Sequence, residues 1–236
     1  MKQTQSIWLA GVFTVLGLVI LLWLGFWQVD RLAWKTALLT QIDTNLAAQP
    51  VLLPGGIDIL EWEYRKVCVA GAFLHNREMH LFSTRLTGQP GYHIYTPFEI
   101  EGGGVIIINR GWVPDTHKAA PTRLEGQVPR IFEICGILRA SRQQGRLVPD
   151  NNPDENGWYT ANATEMGEAA NLANVLPFLL DADNAANPGG YPIGGQTRID
   201  IPNNHLGYAI TWFGLAVALA GVFTAFVISQ RRKPVK

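Results

Sequence analysis

The sequence predicts an α+β membrane protein in which two transmembrane helices flank a periplasmic, β-rich domain of small barrel-like form. Three observations support this fold class. Uncharged, mostly apolar runs cover residues 7–27 and 206–228, and the segment between them contains short apolar stretches separated by turn residues. A helix rises about 1.5 Å per residue and the bilayer core is about 30 Å thick. Each run is therefore long enough to cross a membrane.

The first run, 7–27, has a signal peptide as its competing interpretation. Lys2 precedes the run, as in a signal peptide. However, the apolar stretch is longer than a usual signal core, and its end at 23–27 contains two tryptophans but no small-x-small cleavage site. We therefore expect an uncleaved anchor. The preceding tail, 1–6, is too short for an organelle transit peptide, so the expected location is a bacterial inner membrane.

The charges beside the two runs predict the orientation. The tails 1–6 and 229–236 contain basic residues and no acidic residue. By the positive-inside rule both termini are expected in the cytoplasm and 28–205 in the periplasm. All 19 acidic residues and 19 − 5 = 14 basic residues lie in 28–205, so its net charge is 14 − 19 = −5. This balance does not indicate nucleic-acid binding, which normally requires a basic patch.

The segment 28–205 is predicted to begin with a helical extension over 31–48, followed by a β-rich region over 62–201. Apolar residues recur every four positions from Trp34 to Leu46, and Pro50 ends the pattern. A short helix is expected to start at Asn162, with Glu165 three residues later. The predicted strands are rich in Val, Ile, Phe and Tyr and cover 64–74, 78–85, 92–100, 105–110, 131–140, 176–181 and 197–201.

The two cysteines, Cys68 and Cys135, lie in strand-like runs. They can pair only if those strands are neighbours in suitable geometry. Two separate, buried thiols are the expectation from sequence, with a disulfide as the alternative. The chain has no C-x-x-C-H and no C-x-x-x-C motif, so neither covalent haem attachment nor thiol-based copper delivery is indicated.

His205 lies at the junction between the polar segment and the second apolar run. An ionisable group at this depth is costly without a partner and therefore indicates function. Tyr208 and Trp212 follow at helical spacing, which predicts one shared face. Trp23 and Trp27 occupy the same depth on the first run. An imidazole beside aromatic walls can serve as a haem-iron ligand. The residues alone favour the other interpretation, an interfacial aromatic belt with a solvated histidine.

Arg31 follows Trp27 by four residues, so the two are expected to stack on adjacent helical turns. A cation just outside the bilayer can pair with carboxylates of an amphiphile, such as haem propionates. Anchoring to lipid headgroups is the other interpretation, and the residues alone favour it.

A second motif, 109–114, follows the apolar run 105–108, which is expected to be buried on both faces. We expect a turn at Asn109-Arg110-Gly111-Trp112, with Arg110 bonding carbonyl groups and Trp112 closing the core. Four further histidines, at 75, 80, 93 and 117, lack the spacing of a metal site. No nucleophile or phosphate-loop motif predicts an enzyme.

Several segments in the same order resemble the surfeit locus protein 1 (Surf/Shy) family, whose members are assembly factors for haem–copper cytochrome oxidase. The resemblance covers essentially the whole chain. It rests on 25–35, 91–97, 109–114, 151–153 with Trp158-Tyr159, and 203–213.

The resemblance implies two transmembrane helices around a periplasmic β-rich domain, no catalysis, and a role in maturing oxidase subunit I. It implies binding of haem a, with His205 matching the family's histidine as iron ligand and Trp212 matching its tryptophan. Haem a would then come from its synthase and pass to subunit I. Asn162 departs from the pattern, because an acid is expected after the Trp-Tyr pair. The alternative is a cofactor-free scaffold. A membrane sensor would need an output domain, which the short tails do not provide.

Overall fold

The computed structural model describes residues 2–85, 87–199 and 201–232. The chain divides into two compact units, one formed by Met1–Gln41 with Asp200–Lys236 and the other by Ile42–Ile199. The helices are α1 (Lys2–Ala47), α2 (Ile59–Trp62), α3 (Ala163–Ala169) and α4 (His205–Arg232). The strands are β1 (Val51–Leu52), β2 (Lys66–Phe73), β3 (Met79–Thr84), β4 (Pro90–Ile100), β5 (Val105–Val113), β6 (Phe132–Ala140), β7 (Gly157–Trp158) and β8 (Val175–Ala182).

The first unit consists of two apolar helices. The segments Ile7–Ala47 and His205–Arg232 are long and apolar enough to cross a membrane, and only 6% of the most apolar window of each is buried within the protein. A core helix of a soluble domain would be covered on most sides. The exposed apolar surface of these helices instead requires lipid, as expected of a membrane protein.

Glycines allow the two helices to pack closely. A side chain at Gly25 would approach the Phe213 ring to 2.7 Å, and one at Gly17 would approach Leu219 to 2.9 Å. The later glycine on α1 contacts the earlier residue on α4, so the two helices are antiparallel. Phe26 adds an edge-to-face contact with Phe213, at a centroid distance of 5.4 Å. Small residues at the contact are typical of transmembrane pairs, which associate by close packing.

The second unit is built on a closed five-stranded barrel. The strands follow one another in the order β2, β6, β8, β5 and β4, and β4 pairs back to β2. Only β5 and β8 are parallel within this ring. Strand β3 pairs with β4 outside the barrel, β7 pairs with β3, and β1 pairs with β2. Together with the two apolar helices, this barrel confirms the predicted fold class.

The strand β5 is buried on both faces, as its continuous apolar run predicted. Ile106 and Ile108 point into the barrel core with Leu138 and Leu180. Ile107 faces a second core, in which Met166 of α3 also packs. Asn162 caps α3 by accepting hydrogen bonds from the backbone N–H groups of Thr164 and Glu165, so the predicted helix start is confirmed. An aspartate there could accept the same bonds, which explains why an amide is tolerated.

Two local predictions were wrong. Residues 197–199 and 201 are not a strand, and Asp200 lies outside the described residues. The chain is held there by the Thr197 hydroxyl, which donates to the Asp181 carboxylate at 2.9 Å. The turn expected at 109–112 is also absent, because β5 continues to Val113. Gly111 permits this with a φ of 126°, and a side chain there would approach the Ile193 carbonyl oxygen to 2.1 Å.

The expectation of two separate thiols was also wrong, because Cys68 and Cys135 form a disulfide. They lie directly opposite each other on β2 and β6, with their Cα atoms 4.0 Å apart. The two strands are 67 residues apart in sequence at this point. Apolar periodicity indicates that each segment is a strand but does not give the register between distant strands.

Glu78, the residue before β3, forms a buried ion pair with Arg123 and a contact with His80. Arg123 donates to its carboxylate through both terminal nitrogens, and His80 Nε2 lies 3.0 Å from Oε1. Burial alone raises the pKa of Glu78, but the hydrogen bonds from His80 and Arg123 outweigh burial and lower the pKa to about 2. The carboxylate is therefore stabilised in the folded protein.

Glu78→Gln is expected to destabilise the protein by about 3 kcal/mol at pH 7, because it leaves the buried Arg123 without a counter-charge. The stabilisation from the low pKa is complete above about pH 4.5 and is lost as the pH falls towards 2. Urea unfolding should therefore show a smaller difference in unfolding free energy between variant and wild type at pH 3 than at pH 7. The exposed Glu133→Gln is the control. An equal difference at both pH values would contradict this account.

Candidate functional site

The candidate site centres on His205, the first residue of α4. Its Nδ1 atom lies 2.7 Å from Oε1 of Gln28 on α1. Gln28 is only 8% exposed. It follows Ile7, Thr14 and Leu21 at intervals of seven residues, and all of them lie on the side of α1 that packs within the helix pair. A seven-residue period keeps side chains on one face towards a partner helix. The imidazole is therefore held between the two helices by an amide from the other helix.

The hydrogen bond to Gln28 determines which imidazole nitrogen can act as a ligand. A carboxamide oxygen can only accept a hydrogen bond, so Nδ1 of His205 donates its N–H. The tautomer with its proton on Nδ1 has its lone pair on Nε2, for which the described residues provide no hydrogen-bond partner. Metal-binding histidines commonly have this arrangement, in which an oxygen acceptor on one ring nitrogen fixes the tautomer and orients the ring.

The aromatic residues predicted to accompany His205 on α4 differ in burial. Trp212 is partly buried and lies on the packed side of α4 with His205, Ala209 and Ala216. Tyr208 is three residues after His205 and four before Trp212, so it lies at the edge of the same face. Its side chain is 56% exposed and is not packed within the helix pair.

On α1, the aromatic residues of the candidate site face outward. Trp23 is 65% exposed and Trp27 is 49% exposed. The predicted stack of Arg31 on Trp27 is replaced by a stack on Trp34, with the guanidinium carbon 3.8 Å from the ring centroid. Residues three and four apart are both neighbours on a helix, so spacing alone did not decide between the two rings.

Two residues of this region were missed by reasoning from sequence, Gln28 and Trp34. Gln28 carried a usable signal: it is the first polar residue after the run 7–27, and it continues the seven-residue spacing of the packed face. A buried amide at the end of a transmembrane helix requires a partner, and the histidine that opens α4 provides it.

The donor set fits a haem iron. His205 offers an imidazole whose orientation and tautomer are fixed by Gln28, and Trp212 offers a partly buried aromatic surface on the same side of α4. His205 is the ligand that would hold the iron, and an aromatic ring can pack against a porphyrin.

Comparison with known proteins agrees with the family resemblance seen in the sequence motifs. Residues 15–217 match the model of the SURF1 family. A "SURF1-like protein" of Monosiga brevicollis is 36% identical over 84% of this chain and 80% of its own length. "Surfeit locus protein 1" of Mus musculus is 35% identical over 90% and 73%, respectively. The protein of that name from Homo sapiens is 34% identical over 83% of this chain and 70% of its own length. The chain belongs to the SURF1 family.

Proposed function

We propose that this protein is an assembly factor for haem–copper cytochrome c oxidase that holds haem a at His205 before the haem is inserted into subunit I. Membership of the SURF1 family supports the role in assembly. The observation that carries the haem part is the hydrogen bond from His205 Nδ1 to Gln28, which leaves Nε2 as a free ligand atom. The chain itself catalyses no reaction in this proposal.

The proposal gives each candidate residue a role. His205 ligates the iron, and Trp212 packs against the porphyrin. Arg31, which we expect just outside the bilayer, forms an ion pair with a haem propionate. The exposed rings of Trp23, Trp27 and Tyr208 provide further aromatic surface at the same membrane depth. Haem a, when bound, would supply an iron that accepts the imidazole nitrogen of His205 as a ligand. The protein's own contribution is to orient the imidazole and to fix its tautomer through Gln28.

The proposed orientation follows from the charges beside the helices. The acid-free, basic tails favour both termini in the cytoplasm and the β-rich unit on the opposite side of the membrane, which is the periplasm in the bacterial inner membrane that we propose. Haem a synthase would supply the haem, and oxidase subunit I would receive it. The lipid bilayer is the remaining partner, because the apolar surfaces of the two helices are exposed.

A second candidate function is a scaffold that stabilises oxidase subunits without binding a cofactor. The outward-facing Trp23, Trp27 and Tyr208 favour it, because such rings are common at membrane interfaces and need no ligand. In this case the only role of the hydrogen bond between His205 and Gln28 is to hold the two helices together.

A strain lacking the protein distinguishes the two functions. If the protein delivers haem a, subunit I purified from that strain should be present but deficient in haem a. Reintroducing the wild-type chain should restore the haem content. If subunit I from the deletion strain carried its full haem a complement but lacked its partner subunits, the scaffold would be favoured and haem delivery contradicted.

A further inference from the structure

The β-rich unit contains a cleft that the proposed haem site does not use. Its volume is about 340 Å³, which is at the lower end of the range for small-molecule sites, about 300–1,000 Å³. His93, Tyr95, Asn109 and Asp181 form part of its lining. The first three belong to the segments 91–97 and 109–114, which carry the family resemblance but have no role at His205.

A chain of hydrogen bonds orients His93 in this cleft. Asn109 Nδ2 donates to Asp181 Oδ1 at 2.9 Å, so its Oδ1 faces His93 Nδ1, at 3.1 Å. Nδ1 of His93 therefore donates, and Nε2 keeps a lone pair that no described residue uses. All three side chains are buried. Burial lowers the pKa of His93, so the imidazole is neutral and Nε2 is an acceptor.

The single carboxylate of the lining is already satisfied within the protein. Asp181 accepts from Asn109 and from the Thr197 hydroxyl, and Arg139 lies 3.7 Å away. The cleft is also lined by Arg142 and Arg198. Among the described residues, neither of these has a carboxylate within 4.0 Å. Arg198 is anchored by donating to the Thr84 hydroxyl at 2.7 Å.

The lining therefore combines hydrogen-bond acceptors with two guanidinium groups that no described carboxylate neutralises. The acceptors are His93 Nε2 and the carboxamide oxygen of Gln196, which is buried and has no hydrogen-bond partner within the described part of the chain. Guanidinium groups bind carboxylates and phosphates by charge-assisted hydrogen bonds. Acceptors without partners require a donor. The excess positive charge is local, because the segment 28–205 as a whole is net acidic.

We propose that this cleft binds a small anion that has a carboxylate or phosphate group and a hydroxyl donor. Arg142 and Arg198 donate to the anionic group. His93 Nε2 accepts a hydrogen bond from the hydroxyl, and the Asn109–Asp181 chain keeps the imidazole in the accepting tautomer.

The test measures anion binding to the full chain purified in detergent. Citrate, which has carboxylates and a hydroxyl, and inorganic phosphate are titrated by equilibrium dialysis, with uncharged glycerol as the reference. Wild type should bind at least one of the two anions saturably, and the affinity of each anion shows which group is preferred. Arg142→Gln with Arg198→Gln should weaken that binding about 10-fold or more, because two charge-assisted hydrogen bonds are lost.

The matched control is Arg146→Gln, which changes an exposed arginine in the same segment that does not line the cleft. It should bind as wild type does. If the double variant does not fold, the exposed Arg142→Gln alone tests the same loss. Absence of saturable binding up to about 10 mM, or an equal loss with Arg146→Gln, would overturn the proposal. Haem content of the same samples reports on His205 independently, so failure of one site does not imply failure of the other.

Discussion

His205→Ala, purified from cells that synthesise haem a, is expected to retain less than about a tenth of the haem bound by wild type. In the proposed site His205 would provide the ligand atom, and no other histidine lies in the helical unit of the chain. The pyridine haemochrome assay on equal amounts of protein gives the ratio. Tyr208→Phe is the control, because it keeps the exposed ring on α4 and should retain haem.

Gln28 provides a sharper form of the same test. Gln28→Leu removes the acceptor for His205 Nδ1 while leaving the ligand atom in place, and is expected to weaken haem binding about 10- to 100-fold. Gln28→Glu retains an oxygen acceptor at the same reach and should restore most of the affinity. Full haem retention by both His205→Ala and Gln28→Leu would remove this pair of residues from the mechanism.

Replacing Cys68 and Cys135 together by alanine is expected to cost about 4 kcal/mol of unfolding free energy. The disulfide closes a loop across a sequence separation of 67 residues, and a cross-link of that length restricts the unfolded chain by about this amount. Chemical unfolding of the purified protein, followed by circular dichroism, measures the difference between the double variant and the oxidised wild type.

Dithiothreitol provides the control for the disulfide. It should lower the stability of wild type towards that of the double variant and leave the variant unchanged. Equal stability of the variant and the oxidised wild type would show that the cross-link contributes nothing to the barrel.

The sequence was most informative where local chemistry decides the structure. The two uncharged runs predicted the apolar helices from length and composition, and Asn162 marked the start of α3 because its side chain caps the first turn. The apolar run beginning at Val105 predicted a strand buried on both faces. Each of these features depends on residues within a few positions of one another.

The features that the sequence did not reveal depend on residues distant in the chain. The disulfide requires the register between β2 and β6, and the continuation of β5 through Gly111 requires the Ile193 carbonyl beside it. In the candidate site, His205 was identified from its position, but its partner Gln28 is 177 residues away. Helix pairing, which hydropathy does not specify, brings the two together.

The central claim is that this chain carries haem a, and the absorbance spectrum of the wild-type protein tests it most directly. The protein is purified in detergent from two otherwise identical strains, one with and one without haem a synthase. The account predicts a Soret band in the first preparation, with the haem extracted from it identified as haem a, and no haem a in the second. A protein that shows no Soret band when haem a is available would contradict the claim.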